Sequence, residues 1–109
     1  MEITIGGLQD YLHERYSGWT TEQGLFMKLV EECGEVAEVL NKRAGYKKSM
    51  DMDLDFELGN ELADMIHYIV AIAAINGINL NAMMLEKDRR ASEKYHHDMN
   101  LQRFLSERK

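Results

Sequence analysis

An all-α fold is predicted by three features of the sequence. There is no proline in 109 residues, so long uninterrupted helices are easy. Apolar residues recur at three- and four-residue spacing, and glycines and small polar residues punctuate the stretches between them. Aromatic residues are few at 8%, which disfavours a many-turned β fold.

Taken in order, the first helix is capped by Thr4 and places Leu8, Tyr11, Leu12 and Tyr16 on one face, until Gly18 breaks it. Thr20 and Gln23 read as a Thr-x-x-Gln capping box, so a second helix starts near Thr21. It runs to about Arg43, where Lys42 and Arg43 suit the negative helix end and Gly45 the stop. Tyr46 to Asp53 reads as a polar loop, basic at Lys47 and Lys48 and acidic at Asp51 and Asp53. A third helix spans about Leu54 to Asn76 and ends at Gly77. Asn79 caps a fourth from Leu80 to about Tyr95, before a break at His96, His97 and Asp98. Leu101, Phe104 and Leu105 give the tail a short amphipathic turn or two. Four helices with short connections predict an up-and-down bundle or a variant of one, with a core over about 4–95 and a tail over 96–109.

Length and composition indicate one domain, 45% hydrophobic and 29% charged. The net charge of −6 argues against bulk binding to nucleic acid or to an anionic membrane. It leaves room for a polyphosphate, because a divalent cation can sit between acidic protein and anionic substrate. Cys33 is the only cysteine, which suits a reducing compartment. Met1 to Gly7 has neither a basic start nor an apolar run, and the longest apolar stretch, Ile69 to Ile75, is short for a bilayer. A cytoplasmic protein is expected.

The acids carry the chemical argument. On the second helix, Leu25, Leu29, Cys33, Val36 and Leu40 lie along one face, with Glu32 at its margin and Glu35 about 60° further round. Glu31 and Glu38 point nearly opposite. Alone, such acids read as a solvated face. The third helix changes that reading, because from Leu62 to Ile75 it is apolar nearly all round and should be central. Yet Glu61, Asp64 and Tyr68 form one stripe on it, with Glu57 a turn earlier. Burying an unpartnered carboxylate costs several kcal/mol, and two together repel. A bound cation resolves the conflict. Two i,i+3 acid pairs on facing helices can aim four carboxylates at one point, and all-oxygen ligation suits Mg²⁺ or Mn²⁺. The bland alternative exposes Glu61 and Asp64 and pairs them with lysines. Asp64-x-x-His67 also looks like half of a di-iron site, but the second Glu-x-x-His that such a site needs is missing.

With Glu31-Glu32-Cys33-Gly34-Glu35 on one helix and Glu61-Leu62-Ala63-Asp64 on a later one, the sequence resembles the MazG-like all-α nucleoside triphosphate pyrophosphohydrolases, whose signature is E-E-x-x-E followed by E-x-x-D. The likeness extends through Lys28 to Glu38, Glu61 to Tyr68, Gly77 to Leu80 and Lys87 to Tyr95, covering roughly residues 8 to 95. It implies Mg²⁺-dependent cleavage of an NTP or dNTP to monophosphate and pyrophosphate, with water attacking the α-phosphorus. It implies Glu32, Glu35, Glu61 and Asp64 as metal ligands, with Glu31 and Glu35 serving catalysis, Glu31 as a supporting acid. Lys87, Lys94 and Tyr95 fall where the family contacts phosphate and sugar, Arg90 is an extra candidate, and Trp19 stands where relatives place an aromatic residue near the base. Many relatives carry asparagine where this chain has Ala91, which bears on nucleotide preference.

A homodimer or homotetramer is expected, since the third helix is apolar on more sides than three neighbours can cover. Phosphoribosyl-ATP pyrophosphohydrolase of the same superfamily is the nearest alternative, and a non-catalytic helical interaction module is one from another class. Met27, Met83 and Met84 read as core or interface filler, and His96 and His97 as an exposed turn. Lys42, Arg43, Lys47 and Lys48 read as helix-end charges, or as groups that close over a triphosphate.

Overall fold

Each helix begins on a short polar side chain that accepts a hydrogen bond from the backbone three residues on, which satisfies one of the otherwise orphaned N–H groups of the first turn. In the computed structural model, which describes residues 1–45 and 53–108, Thr4 caps α1 (Ile5–Tyr16), Thr21 caps α2 (Glu22–Arg43) and Asp53 caps α3 (Leu54–Ile75). Asn79 caps α4 (Leu80–Lys94) and Asn100 caps α5 (Leu101–Glu107). The α2 start differs by one residue from the sequence expectation. Thr21, not Thr20, is the cap, and its hydroxyl accepts from Gly24 N at 3.0 Å, so Gln23 falls inside the first turn and the capping box does not form. The tail is a two-turn helix in its own right. Lys47, Lys48 and Asp51 lie outside the described residues.

α3 ends in a paired turn in which Gly77 N donates to the Ala74 carbonyl and Ile78 N to the Ala73 carbonyl. That geometry requires a positive φ, and Gly77 supplies 65° at little cost. α4 ends the same way, with His97 N on the Ser92 carbonyl at 2.8 Å. There the left-handed position is taken by His96 at φ 57°, a conformation that a side chain disfavours.

The core forms where α1 and α2 pack against α3. Leu12, Tyr16, Leu25, Val70, Ala71 and Ala74 make one buried cluster. The alanines let α1 approach α3 closely. α2 and α3 run antiparallel, pinned at one end by Asn76 Nδ2 donating to Glu22 Oε2 at 3.0 Å and at the other by Arg43 and Asp55 at 3.0 Å. This register sets Glu32 and Glu35 opposite Glu61 and Asp64, midway along both helices.

α4 leaves this unit. Gln9 holds the turn before it, donating to the Ile78 carbonyl and accepting from Leu80 N. Beyond that turn α4 packs on α1 and α5, and Asp88 accepts from Leu101 N at 2.6 Å. The four long helices are therefore not one closed bundle within a single chain. The radius of gyration is 17.1 Å, where a compact chain of this length has about 13 Å. The exposed surface is 8515 Å², against about 6,200 Å² for a compact monomer of this mass. Phe26, Met27 and Val30 on α2 and Leu62, Ile66 and Ile69 on α3 are all exposed. α3 is thus buried mainly along its C-terminal half, at Val70, Ala71, Ala73 and Ala74.

Taken over its full length, α3 is also long and apolar enough, by length and composition, to cross a membrane. The expectation that weighed only Ile69 to Ile75 is corrected to that extent. Core helices of soluble proteins pass the same test.

Candidate metal centre

Glu32 and Glu35 are three residues apart on α2, and Glu61 and Asp64 three apart on α3, so each pair projects from one helix face. The antiparallel register turns the two faces toward each other. One carboxylate oxygen from each of Glu32, Glu61 and Asp64 lies within 4.8 Å of the other two. Glu35 joins them, close enough to Glu61 to interact through its side chain. Three of the four sequence-predicted carboxylates therefore converge on one point, and Glu35 adjoins them at Glu61.

The electrostatics are those of crowded anions. The Glu35 carboxyl is raised above its ordinary range, chiefly by Glu61 beside it. Glu61 is raised in turn, chiefly by Glu32, with partial burial adding to the effect. Among the described residues no lysine or arginine forms an ion pair with any of the four. The exposed, lysine-paired alternative is thereby disfavoured. Oε2 of Glu32 and Oε2 of Glu61 are buried without a hydrogen-bond partner, and so is Oε2 of Glu57, one turn before Glu61. Buried polar atoms normally find partners, and a carboxylate left without one is costly. A donor set made only of carboxylate oxygens, crowded and short of protons, fits a hard divalent cation such as Mg²⁺.

The other sequence-predicted residues are placed as follows. Glu31 is not among the converging oxygens and pairs with Lys28 at 3.5 Å, both side chains largely exposed. Trp19 is exposed in the α1–α2 connection, its ring 5.3 Å from that of Tyr16. Lys87, Arg90, Lys94 and Tyr95 line one open groove along α4. That groove is not part of the carboxylate site within one chain, because α4 packs chiefly on α1 and α5, with only its first residue, Leu80, against the core. The acids on α4 are largely taken by a different cation. Arg89 holds Glu86 at 2.7 Å and Glu93 at 2.6 Å, while Asp88 serves α5. Arg90 reaches Glu86 only at 3.8 Å, and Lys87 and Lys94 have no carboxylate partner among the described residues.

Two features escaped the sequence reading. The hydroxyl of Tyr16 and Nε2 of His67 are 2.7 Å apart, joining residues 51 positions apart with no local signal. The His67 ring then meets the Tyr68 ring edge-on at 5.0 Å. Burial raises the Tyr68 phenol above its usual range, and the Glu32 and Asp64 charges add to it. Glu57 was seen as part of the acidic stripe, but its orphaned oxygen was not foreseeable from spacing.

No curated protein and no solved structure matches the chain. A family model does, that of the MazG nucleotide pyrophosphohydrolase domain, over residues 20–97. That span contains all four converging carboxylates and the basic face of α4, and with most of the sequence matched, the chain belongs to the MazG nucleotide pyrophosphohydrolase family.

Proposed function

We propose that this protein is a Mg²⁺-dependent enzyme hydrolysing an NTP or dNTP to the monophosphate and pyrophosphate, with water attacking the α-phosphorus. The observation that carries the reading is the convergence of Glu32, Glu61 and Asp64 within 4.8 Å, with orphaned carboxylate oxygens among them, in a chain of this family. Glu32, Glu35, Glu61 and Asp64 hold the cation. Bound there, Mg²⁺ neutralises charge on the phosphate oxygens. Glu35, beside Glu61, accepts a hydrogen bond from the attacking water and orients it. Glu31 supports this after releasing Lys28, which their exposed ion pair permits at little cost.

Lys87, Arg90 and Lys94 contact the triphosphate, and Trp19 and Tyr95 the base and sugar. Because α4 packs chiefly on α1 and α5 within one chain, a second copy brings its basic groove to the acids. The exposed apolar residues of α2 and α3 are the surface on which the copies meet, as a homodimer or homotetramer. Covering that face also accounts for an apolar α3 in a cytoplasmic protein that spans no membrane, and Glu61 and Asp64 midway along the helix support this reading. The net charge of −6 supports a nucleotide rather than a nucleic-acid partner.

The test is the identity of the products. With Mg²⁺ and a panel of NTPs and dNTPs, chromatography should return monophosphate and pyrophosphate. Nucleoside diphosphate and orthophosphate as the main products would sink the assignment.

A further inference from the structure

Tyr16 and His67 are buried or half-buried titratable groups that neither the metal centre nor the groove on α4 uses. Tyr16 is the last residue of α1 and is 9% exposed. Its hydroxyl meets His67 Nε2 at 2.7 Å, and its ring meets the His67 ring edge-on at 5.7 Å. One hydrogen bond thereby ties the end of α1 to the middle of α3, three residues beyond Asp64.

The same tyrosine supports Trp19. Gly18, at φ 84°, reverses the chain so that the indole folds back onto the Tyr16 ring, 5.3 Å away at 45°. The indole N–H donates to the Arg15 carbonyl at 2.6 Å. One side of the indole is thus seated and the rest stays exposed, 67% of the residue in all. On the other side of the pair, His67 packs against Tyr68, one helical turn beyond Asp64. An unbroken aromatic run of Trp19, Tyr16, His67 and Tyr68 therefore leads from solvent to the carboxylates. Burial and the Arg15 charge both favour neutral His67, the form with a ring nitrogen able to accept a hydrogen bond from the tyrosine hydroxyl.

We propose that Tyr16 and His67 are a positioning pair that fixes the pose of Trp19, and that substrate affinity and base selectivity depend on this pair while turnover does not. The inference rests on the nucleotide reading above and concerns the base, far from the reacting phosphorus. A planar nucleobase stacks on an indole whose other contacts are already made, so little ordering remains to be done on binding. An indole free to swing would take the same base more weakly.

Trp19 is the only tryptophan, so emission excited beyond the tyrosine absorption band reports on it alone. The experiment titrates wild type, Tyr16→Phe, His67→Leu and His67→Gln with NTPs and Mg²⁺, following Trp19 emission and acrylamide quenching alongside kcat and KM. Tyr16→Phe keeps the core ring and removes only the hydroxyl. It should raise KM about fivefold, the effect of one lost neutral hydrogen bond, with kcat little changed and Trp19 more readily quenched. His67→Leu should do the same and carries the test if Tyr16→Phe fails to fold. His67→Gln, which keeps a hydrogen-bonding group, should restore KM and quenching toward wild type. Wild-type KM and quenching in a folded Tyr16→Phe or His67→Leu protein overturns the pair, as does a loss confined to kcat. Wild-type emission indifferent to every nucleotide strikes the nucleotide reading itself, and the positioning proposal with it.

Discussion

Replacing Glu61 by glutamine should reverse the sign of its effect on stability according to whether Mg²⁺ is present. Glu61 stands between Glu32 and Glu35, and its pKa is raised above the ordinary 4.5, chiefly by Glu32. A carboxyl with a raised folded-state pKa binds more protons folded than unfolded. Its contribution is fully present below the unfolded value and is lost as pH rises through the folded one. At neutral pH without metal, the folded chain therefore carries the full repulsion, and Glu61→Gln, which removes one of the charges, should melt above wild type in EDTA. Lowering the pH toward the carboxylate range should narrow that gap, as protonation does for wild type what the substitution has already done. His67 works the other way. Its pKa is lowered from 6.5, chiefly by burial, so stability is lost as pH falls below that value; comparing variant with wild type at each pH cancels this term.

With Mg²⁺ the order should invert. A cation a hundredfold above its Kd stabilises the native state by about 2.7 kcal/mol, or about 10 °C in Tm for a domain of this size. Glu61→Gln, lacking one of four ligands, should lose most of that shift. Melting curves across pH in EDTA and in millimolar Mg²⁺ read both effects. A wild-type Tm that ignores Mg²⁺, or a variant less stable than wild type in EDTA, would refute the reasoning.

Other expectations follow from single features of the chain. Alanine at Lys87 or Lys94 should leave folding and the Mg²⁺ shift intact while lowering kcat/KM about tenfold or more, because neither lysine has a carboxylate partner among the described residues; unchanged kinetics in both would reduce α4 to scaffold. His96→Gly should raise stability by about 1 kcal/mol by relieving the left-handed strain at φ 57°, measured by urea denaturation at unchanged slope. Leu12→Ala, at a fully buried position where α1 meets α3, should cost about 2–5 kcal/mol; a cost under 1 kcal/mol would mean the core is placed wrongly. Light scattering should return a dimer or tetramer at micromolar concentration, and a stable monomer would remove the second copy from the site.

What was legible in the sequence was whatever helical spacing encodes. The period of apolar residues, the capping side chains and the glycine stops placed α1 to α4 to within a residue or two. The i,i+3 acids on two helices announced their own convergence, because an antiparallel pair of that length has few registers that bury the alanine face. The choice between Thr20 and Thr21 was not legible, since either hydroxyl can cap and the geometry of the connection decides. Nor was the Tyr16–His67 bond. Tyr16 read as one more residue of an apolar stripe, and only the packing of α1 on α3 gives its hydroxyl a partner. The course of α4 was hidden for a similar reason. Short connections imply adjacency, yet Gln9 and the Gly77 turn send α4 out along α1 instead of back along α2.

That course has a consequence for how the site works. A carboxylate centre on α2 and α3 and a cationic groove on α4 belong to one reaction only if they meet, and in a single chain they do not. The same chain leaves Phe26, Met27, Leu62, Ile66 and Ile69 in water, on the two helices that carry the carboxylates. An assembly that buries this apolar surface holds a second chain against the two helices of the metal centre, and we propose that the same assembly completes the site. Mixing two inactive chains tests this directly. Asp64→Asn removes a ligand and Lys94→Ala a cation, and each homo-oligomer should be impaired. If the groove acts across copies, co-refolded mixtures contain sites with one intact acid set facing one intact groove, and activity should rise above that of either parent. If each chain supplies its own groove, every site in the mixture keeps one lesion, and the mixture should show only the average of the two.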